Sequence, residues 1–114
     1  MSENKRLLAR YDSAIQNYAK LLIGAIEAGD TSKVGYDLIE ASVTVDQRRE
    51  MVLPFAEAWM LEYIAVSTNF IRALVSLAND RSGNPALSTA VRSALSAYEA
   101  ARQRFFSPED LENA

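Results

Sequence analysis

The side chains that could take part in chemistry are carboxylates, lysines, arginines and tyrosines, because the chain contains no cysteine and no histidine. Without cysteine there can be no disulfide, thiolate metal site or thiol nucleophile. Without histidine, the commonest general base and the commonest metal ligand are both missing. An enzyme is therefore not expected, and the composition predicts neither a cofactor nor a metal site.

Three arrangements of the remaining polar residues could still form a site. A di-iron centre in a helical bundle needs inward glutamates and Glu-x-x-His pairs, and Glu57 and Glu62 are five residues apart, so they do not share a helix face. The glycine-containing turn at residues 82–84 could attract an anion, but its sequence is more typical of a plain turn. The tyrosines on apolar stripes are more typical of a core or a groove lining than of catalysis: Tyr11, Tyr18, Tyr63 and Tyr98.

Length and charge favour a single acidic domain. The chain has 114 residues and a net charge of −3, a size that can bury a core without a metal or a disulfide. Its arginines do not form the dense basic stripe that nucleic-acid binding requires. The N-terminal segment lacks the apolar core of a signal peptide, which predicts a cytoplasmic location.

Turn and cap residues divide the chain into four helical segments, which predicts an all-α, antiparallel four-helix bundle over residues 1–106. The boundaries are Ser2 as first cap, a stop at Gly29, Asp30 or Thr31 as second cap, a break at Pro54, and a fourth helix opened by Asn84 and Pro85. The second helix, residues 32–53, has the weakest sequence support of the four, because residues 42–45 are rich in β-branched side chains, which have a lower helix propensity. A strand there is the alternative. Residues 107–114 form a short acidic tail that either starts one more turn or is disordered.

Residues 55–78 are the most apolar stretch, and their helical period gives two apolar faces instead of one. Met60, Ile64, Ser67, Ile71, Leu74 and Ala78 form the first face, and Trp59, Tyr63, Val66, Phe70 and Leu77 lie on the second. The helix is therefore either central in the bundle or open to a partner on one face. In the second case we expect a client-binding groove lined by Trp59, Tyr63, Val66, Phe70 and Leu77, with Tyr36 and Val43 of the second helix as neighbours. A membrane span is not expected, because charged residues interrupt the stretch and a span needs about 20 nearly uncharged residues.

Residues 11–30, YDSAIQNYAKLLIGAIEAGD, resemble the start of the flagellar export chaperone family (FliS), in which a segment like LYDGAIRFL is followed by AIEAGD. Residues 38–41 are similar to the family's second helix, residues 70–75 with 79–80 to its third helix and exit turn, and residues 96–100 to its fourth. The resemblance covers roughly residues 7–105. Two features differ: the tyrosine-bearing segment that usually precedes the first long helix is missing, and the turn between the third and fourth helices is slightly longer.

The resemblance implies a cytoplasmic export chaperone that holds the helical C-terminal region of flagellin, or of a similar secreted helical protein, and prevents premature assembly. The export apparatus would be a further partner. The alternatives are another type III or filament-cap secretion chaperone, or a structural or regulatory helical module that forms a homodimer through the same face. In each of these cases the partner is a helix that buries its apolar face against the protein.

Overall fold

The computed structural model describes residues 2–29 and 35–112. Within these two ranges the backbone forms five α-helices and no strand, which confirms the predicted all-α bundle. The helices are α1 (Glu3–Ala28), α2 (Gly35–Val52), α3 (Ala58–Asn79), α4 (Pro85–Phe105) and α5 (Pro108–Glu112), with a 3₁₀ turn (Leu53–Phe55) between α2 and α3. Residues 42–45, for which a strand was the alternative, are helical.

The ends of α1 follow the predicted caps. The Ser2 hydroxyl accepts a hydrogen bond from the backbone N–H of Lys5 at 3.2 Å, which satisfies one of the free donors of the first turn. Gly29 ends the helix in the left-handed region at φ 69°, a conformation that glycine adopts without a steric penalty. The predicted caps of the second helix, Asp30 and Thr31, lie outside the described residues.

The turn between α3 and α4 is held by two side chains. The Asp80 carboxylate accepts hydrogen bonds from the Ser82 N–H and hydroxyl at 3.1 and 2.7 Å and from the Asn84 N–H at 2.9 Å. Asn84 in turn caps α4 by accepting from the Ala86 N–H at 3.0 Å, and Pro85 is the first helical residue. The glycine-containing turn therefore has a structural explanation.

Side-chain pairs along the helices define the topology. α1 and α3 run parallel, because Asn4 donates to Glu57 at one end and Tyr11 pairs with Ser67 further along. α4 runs antiparallel to α3, since the ring of Phe105, near the end of α4, lies 5.5 Å from that of Trp59, near the start of α3. α2 runs antiparallel to α1, since Met51 near its end and Leu7 near the start of α1 line one cavity. α2 packs mainly on α1, whereas α3 packs on both α1 and α4.

The core lies where α1, α3 and α4 meet, and α2 adds one edge to it. The apolar residues that form it include Leu8 and Ile15 of α1, together with Met60, Ile64 and Leu74 of the first predicted face of α3. Its largest fully buried side chains are Tyr11, Tyr63, Tyr98, Leu8, Ile15, Met60 and Leu74. After α4 the tail forms α5, where Asp110 lies 3.4 Å from Lys5 of α1 and Leu111 packs against the core.

Candidate functional site

The second helix has apolar side chains on two opposite faces, and only one of them is covered. The face against α1 buries Ala41, Val45 and Val52. On the opposite face Tyr36 is 78% exposed, Ile39 66% and Val43 48%. We call Tyr36, Ile39 and Val43 the outer stripe.

The outer stripe has the geometry of a helix-binding surface. Its members are three and four residues apart, so they lie on one helix face, one turn above another. Their combined exposed apolar area is on the order of a few hundred Å², comparable to the largest apolar patch on a typical soluble protein, which is often functional. Nothing in the described part of the chain packs over these side chains as a core would, so the face is open to a partner.

Polar features border the outer stripe. Four carboxylates of α2 are exposed around or beyond it: Asp37, Glu40, Asp46 and Glu50. On one side a groove of about 310 Å³ separates α2 from α1, and its lining includes Asn17, Asp37, Glu40 and Thr44. The stripe is therefore an apolar row with an acidic border.

A further apolar area lies at the other end of the bundle, around the 3₁₀ turn. Met51, Leu53 and Phe55 are exposed there. A cavity of about 430 Å³ separates this turn from the start of α1, and its lining includes Leu7, Met51 and Phe55.

The seven residues predicted to line one client groove do not form one surface. Tyr36 and Val43 are exposed on α2, as part of the outer stripe. Tyr63 and Phe70 are buried, whereas Trp59, Val66 and Leu77 are half-buried on α3. Because α2 packs on α1 while these α3 side chains face α4 or the ends of the bundle, the two sets are separate.

Tyr63 and Phe70 are buried, so the prediction that they line an open groove is wrong. Phe70 stacks on Tyr98 of α4 with ring centroids 5.1 Å apart, and Tyr63 meets the edge of the Phe106 ring at 5.4 Å. The reason is that α1 covers one apolar face of α3 and α4 covers the other. α3 has two apolar faces because it packs between two helices. The apolar face that stays uncovered belongs to α2.

Phe70 and Leu77 nevertheless lie beside openings in the surface. A groove of about 550 Å³ runs between α1 and α4, and Phe70 lines it together with Ile23 and Leu95. Leu77 lines a second cavity of about 550 Å³ beside Ile26, where α1 ends. Polar residues also line the α1–α4 groove: Gln16, Lys20, Glu99 and Arg102.

A buried polar cluster joins α1, α3 and α4, and the sequence reasoning did not find it. The Asp12 carboxylate is 2% exposed and accepts hydrogen bonds from the hydroxyls of Tyr63 and Tyr98. The Nε of Arg102 donates to the same carboxylate at 3.2 Å. Gln16 donates to the Tyr98 hydroxyl at 3.0 Å. The available signal was Asp12 itself, a carboxylate between Leu8 and Ile15 on an apolar helix face.

The electrostatics of this cluster keep both tyrosines protonated. Burial raises the pKa of Tyr63 far above its ordinary value, and the neighbouring Tyr98 and Asp12 add to the rise. Burial also raises the pKa of Tyr98, again reinforced by the Asp12 carboxylate. Burial alone would lower the pKa of Arg102, but the adjacent Asp12 carboxylate raises it overall. The cluster therefore consists of an ionised pair supported by two neutral donors.

This arrangement has a role in packing. Every buried side-chain nitrogen and oxygen in the described residues has a hydrogen-bond partner, so the cluster presents no unsatisfied group to a substrate. Its three donors come from two helices and converge on one carboxylate of a third. The cluster consequently fixes the position and rotation of α4 on α1 and α3.

Two further properties bear on function. Among the described helices, α3 is long and apolar enough to cross a membrane by length and composition, but α1 and α4 cover it here, which is compatible with a soluble protein. The described residues contain no cluster of three or more carboxylates that could hold a metal ion.

No family model, curated protein or solved structure matches this chain.

Proposed function

We propose that the protein is a cytoplasmic export chaperone that binds a helical segment of a client protein along the outer stripe. The observation that carries the proposal is the exposure of Tyr36, Ile39 and Val43 on one face of α2, opposite the face that packs on α1. The family resemblance of residues 11–30 supports a secreted client of the flagellin type. A client helix would bury its own assembly face against the stripe and be kept from premature assembly.

The size of the outer stripe suits reversible binding. At about 25 cal/mol per Å², a few hundred Å² buried on each partner contributes on the order of 10 kcal/mol. Association itself costs about 4–15 kcal/mol. The balance predicts a weak complex with fast release, as an export chaperone needs when it hands its client to the export machinery.

The test is calorimetric titration of the C-terminal helical segment of flagellin from the same organism into the full chain. Tyr36→Ala and Ile39→Ala should each weaken binding by about 2 kcal/mol, because aromatic and large apolar anchors dominate such interfaces. Leu61→Ala is the control, since Leu61 is also an exposed apolar residue, 48% accessible, but lies on α3. All three variants should unfold at the wild-type temperature.

Each alternative outcome has a distinct meaning. Absence of binding to wild type would refute flagellin as client. Binding that Tyr36→Ala and Ile39→Ala leave unchanged would refute the outer stripe as the site. A homodimer of the free protein that Ile39→Ala dissociates would replace the chaperone proposal with the self-associating module.

A further inference from the structure

The charges around the outer stripe restrict the kind of partner that fits it, and the argument rests on the proposed function. Glu40 follows Tyr36 by four residues, Asp46 follows Val43 by three, and Glu50 follows Val43 by seven. These spacings place the carboxylates on or beside the face that presents the stripe. All of them are exposed, as is Asp37 next to Tyr36. A helix lying along the stripe would therefore contact carboxylates on its flanks.

The basic residues of α2 neutralise only one carboxylate of this border. α2 contains two arginines, Arg48 and Arg49, and both are half-buried on the side toward the core. Arg49 lies 3.0 Å from Asp46 and neutralises that one carboxylate. The border thus stays acidic along the part of the helix that carries Tyr36, Ile39 and Val43.

The groove beside the stripe can accommodate a long basic side chain. It has a volume of about 310 Å³, and its lining places Asp37, Glu40 and Thr44 of α2 opposite Asn17 of α1. All four side chains offer oxygen acceptors. A lysine or arginine from a helix lying on the stripe could extend its apolar stem over the edge of the stripe and place its charge among these oxygens.

The same charges disfavour the two other partners that an exposed apolar helix face can have. A second copy packed through α2 would place carboxylate rows side by side, whether the two helices ran parallel or antiparallel, and such like-charge pairs are destabilising. An anionic membrane surface would repel the border for the same reason, because interfacial helices use lysine and arginine on their polar face.

We infer that the partner of the outer stripe is an amphipathic helix whose apolar face is bordered by lysine or arginine. Its apolar residues match the stripe at spacings of three and four, and its basic residues lie against Asp37, Glu40 and Glu50. The acidic border selects among helices of equal hydrophobicity, and it keeps the apolar face of the chaperone from pairing with itself.

The test uses two synthetic amphipathic peptides of about 18 residues, five helical turns. They share one leucine face, which is flanked by lysines in one peptide and by glutamates in the other. The lysine peptide should bind the full chain at least about tenfold more tightly at low salt, and the ratio should shrink above 0.1 M salt, where the Debye length falls below about 10 Å. Equal affinities would overturn the inference.

Charge reversal locates the effect. Glu40→Lys should weaken the lysine peptide about fivefold and strengthen the glutamate peptide, since each exposed charge pair is worth a few-fold in affinity. Glu109→Lys is the matched control: it makes the same change of charge at an exposed site on α5, which packs against the opposite end of α1. Glu40 is preferred to Asp37, because Asp37 also lies in the first turn of α2 and stabilises that helix end. If Glu40→Lys and Glu109→Lys have the same effect, the selectivity comes from net charge and the inference fails.

The result separates this inference from the proposed function. If both peptides bind equally and Ile39→Ala weakens both, the outer stripe is a helix-binding surface but its border does not select the partner. If neither peptide binds, the stripe and the inference fail together. If the protein alone dimerises through α2, as shown by light scattering with Ile39→Ala as the dissociating variant, the occupant is a second copy and the inference is wrong.

Discussion

Removal of the Asp12 carboxylate tests the central feature of the packing. Asp12 is 2% exposed and accepts from Tyr63, Tyr98 and Arg102. In Asp12→Ala the two tyrosine hydroxyls lose a buried acceptor, at about 1–3 kcal/mol each. The Arg102 side chain is 27% exposed and can turn its charge toward water, so it adds less. We expect a total loss of about 3–5 kcal/mol, in the range seen when one member of a buried ion pair is removed.

The assay is equilibrium urea unfolding followed by far-UV circular dichroism. A loss of this size is a large part of the 5–15 kcal/mol that holds a domain of this kind together, and it should lower the melting temperature by about 10–20 °C. Asp37→Ala is the control, because Asp37 is exposed on α2 and should change stability by no more than about 1 kcal/mol. A loss below about 1 kcal/mol for Asp12→Ala would refute the role assigned to the cluster.

A compensating variant distinguishes a lost interaction from a general disturbance of the core. In the triple variant Asp12→Leu, Tyr63→Phe, Tyr98→Phe the acceptor and both hydroxyl donors are removed together. Replacing both partners of a buried hydrogen bond by apolar groups can be nearly neutral, and the same holds for buried ion pairs replaced by well-packed apolar residues. The triple variant should therefore be more stable than Asp12→Ala. If it is less stable, the loss in Asp12→Ala does not come from the two tyrosine hydroxyls left without an acceptor.

Three further outcomes follow from the structure. Burial raises the pKa of Tyr63 and Tyr98 above the ordinary value of 10.0. The two tyrosines therefore contribute their full stabilisation below pH 10, and above it the free energy of unfolding should fall by about 1.4 kcal/mol per pH unit per tyrosine. Urea midpoints that do not change between pH 9 and 11 would contradict this. Leu74→Ala should lower the free energy of unfolding by about 2–5 kcal/mol, because Leu74 is fully buried. Ile39→Ala should leave the melting temperature near that of wild type, because Ile39 is exposed. Equal losses of stability in the two variants would mean that the outer stripe is covered. The hydrogen bond from the Ser82 hydroxyl lowers the pKa of Asp80 below 3.8. Asp80→Ala should therefore destabilise the protein at neutral pH, and the difference from wild type should shrink as the pH falls below 3.8. A difference in urea midpoint that does not change with pH in this range would contradict this role of Asp80.

The helices themselves were predictable from local sequence. Ser2, Gly29, Asn84 and Pro85 occupy the cap positions that the sequence assigned to them, because caps depend on hydrogen bonds within four residues of the chain. Residues 55–57 were expected to be helical, but they belong to a 3₁₀ turn and its exit, and α3 begins at Ala58. Pro54 favours that turn, since proline cannot continue the α-helical hydrogen bonds of α2.

The candidate site was only partly predictable. Tyr36 and Val43 were assigned to client binding, and the structure leaves both exposed, so that assignment stays a prediction. Tyr63 and Phe70 were assigned to the same groove and are in the core. Helical periodicity shows that a residue lies on an apolar face, but it carries no information on whether another helix covers that face.

The sequence by itself determined the class of fold, both ends of α1, the start of α4 and the restricted chemistry, because these depend on composition and on contacts between residues close in the chain. Only the tertiary structure decided which apolar face stays open. α1 and α4 cover both faces of α3, whereas α2 packs mainly on α1 and keeps its outer stripe exposed. The tertiary structure likewise decided that Asp12 is a core residue, since its three donors are 51 to 90 residues away in sequence. Local propensity carries no information on contacts between residues so far apart in the chain. These contacts form only when α1, α3 and α4 pack together.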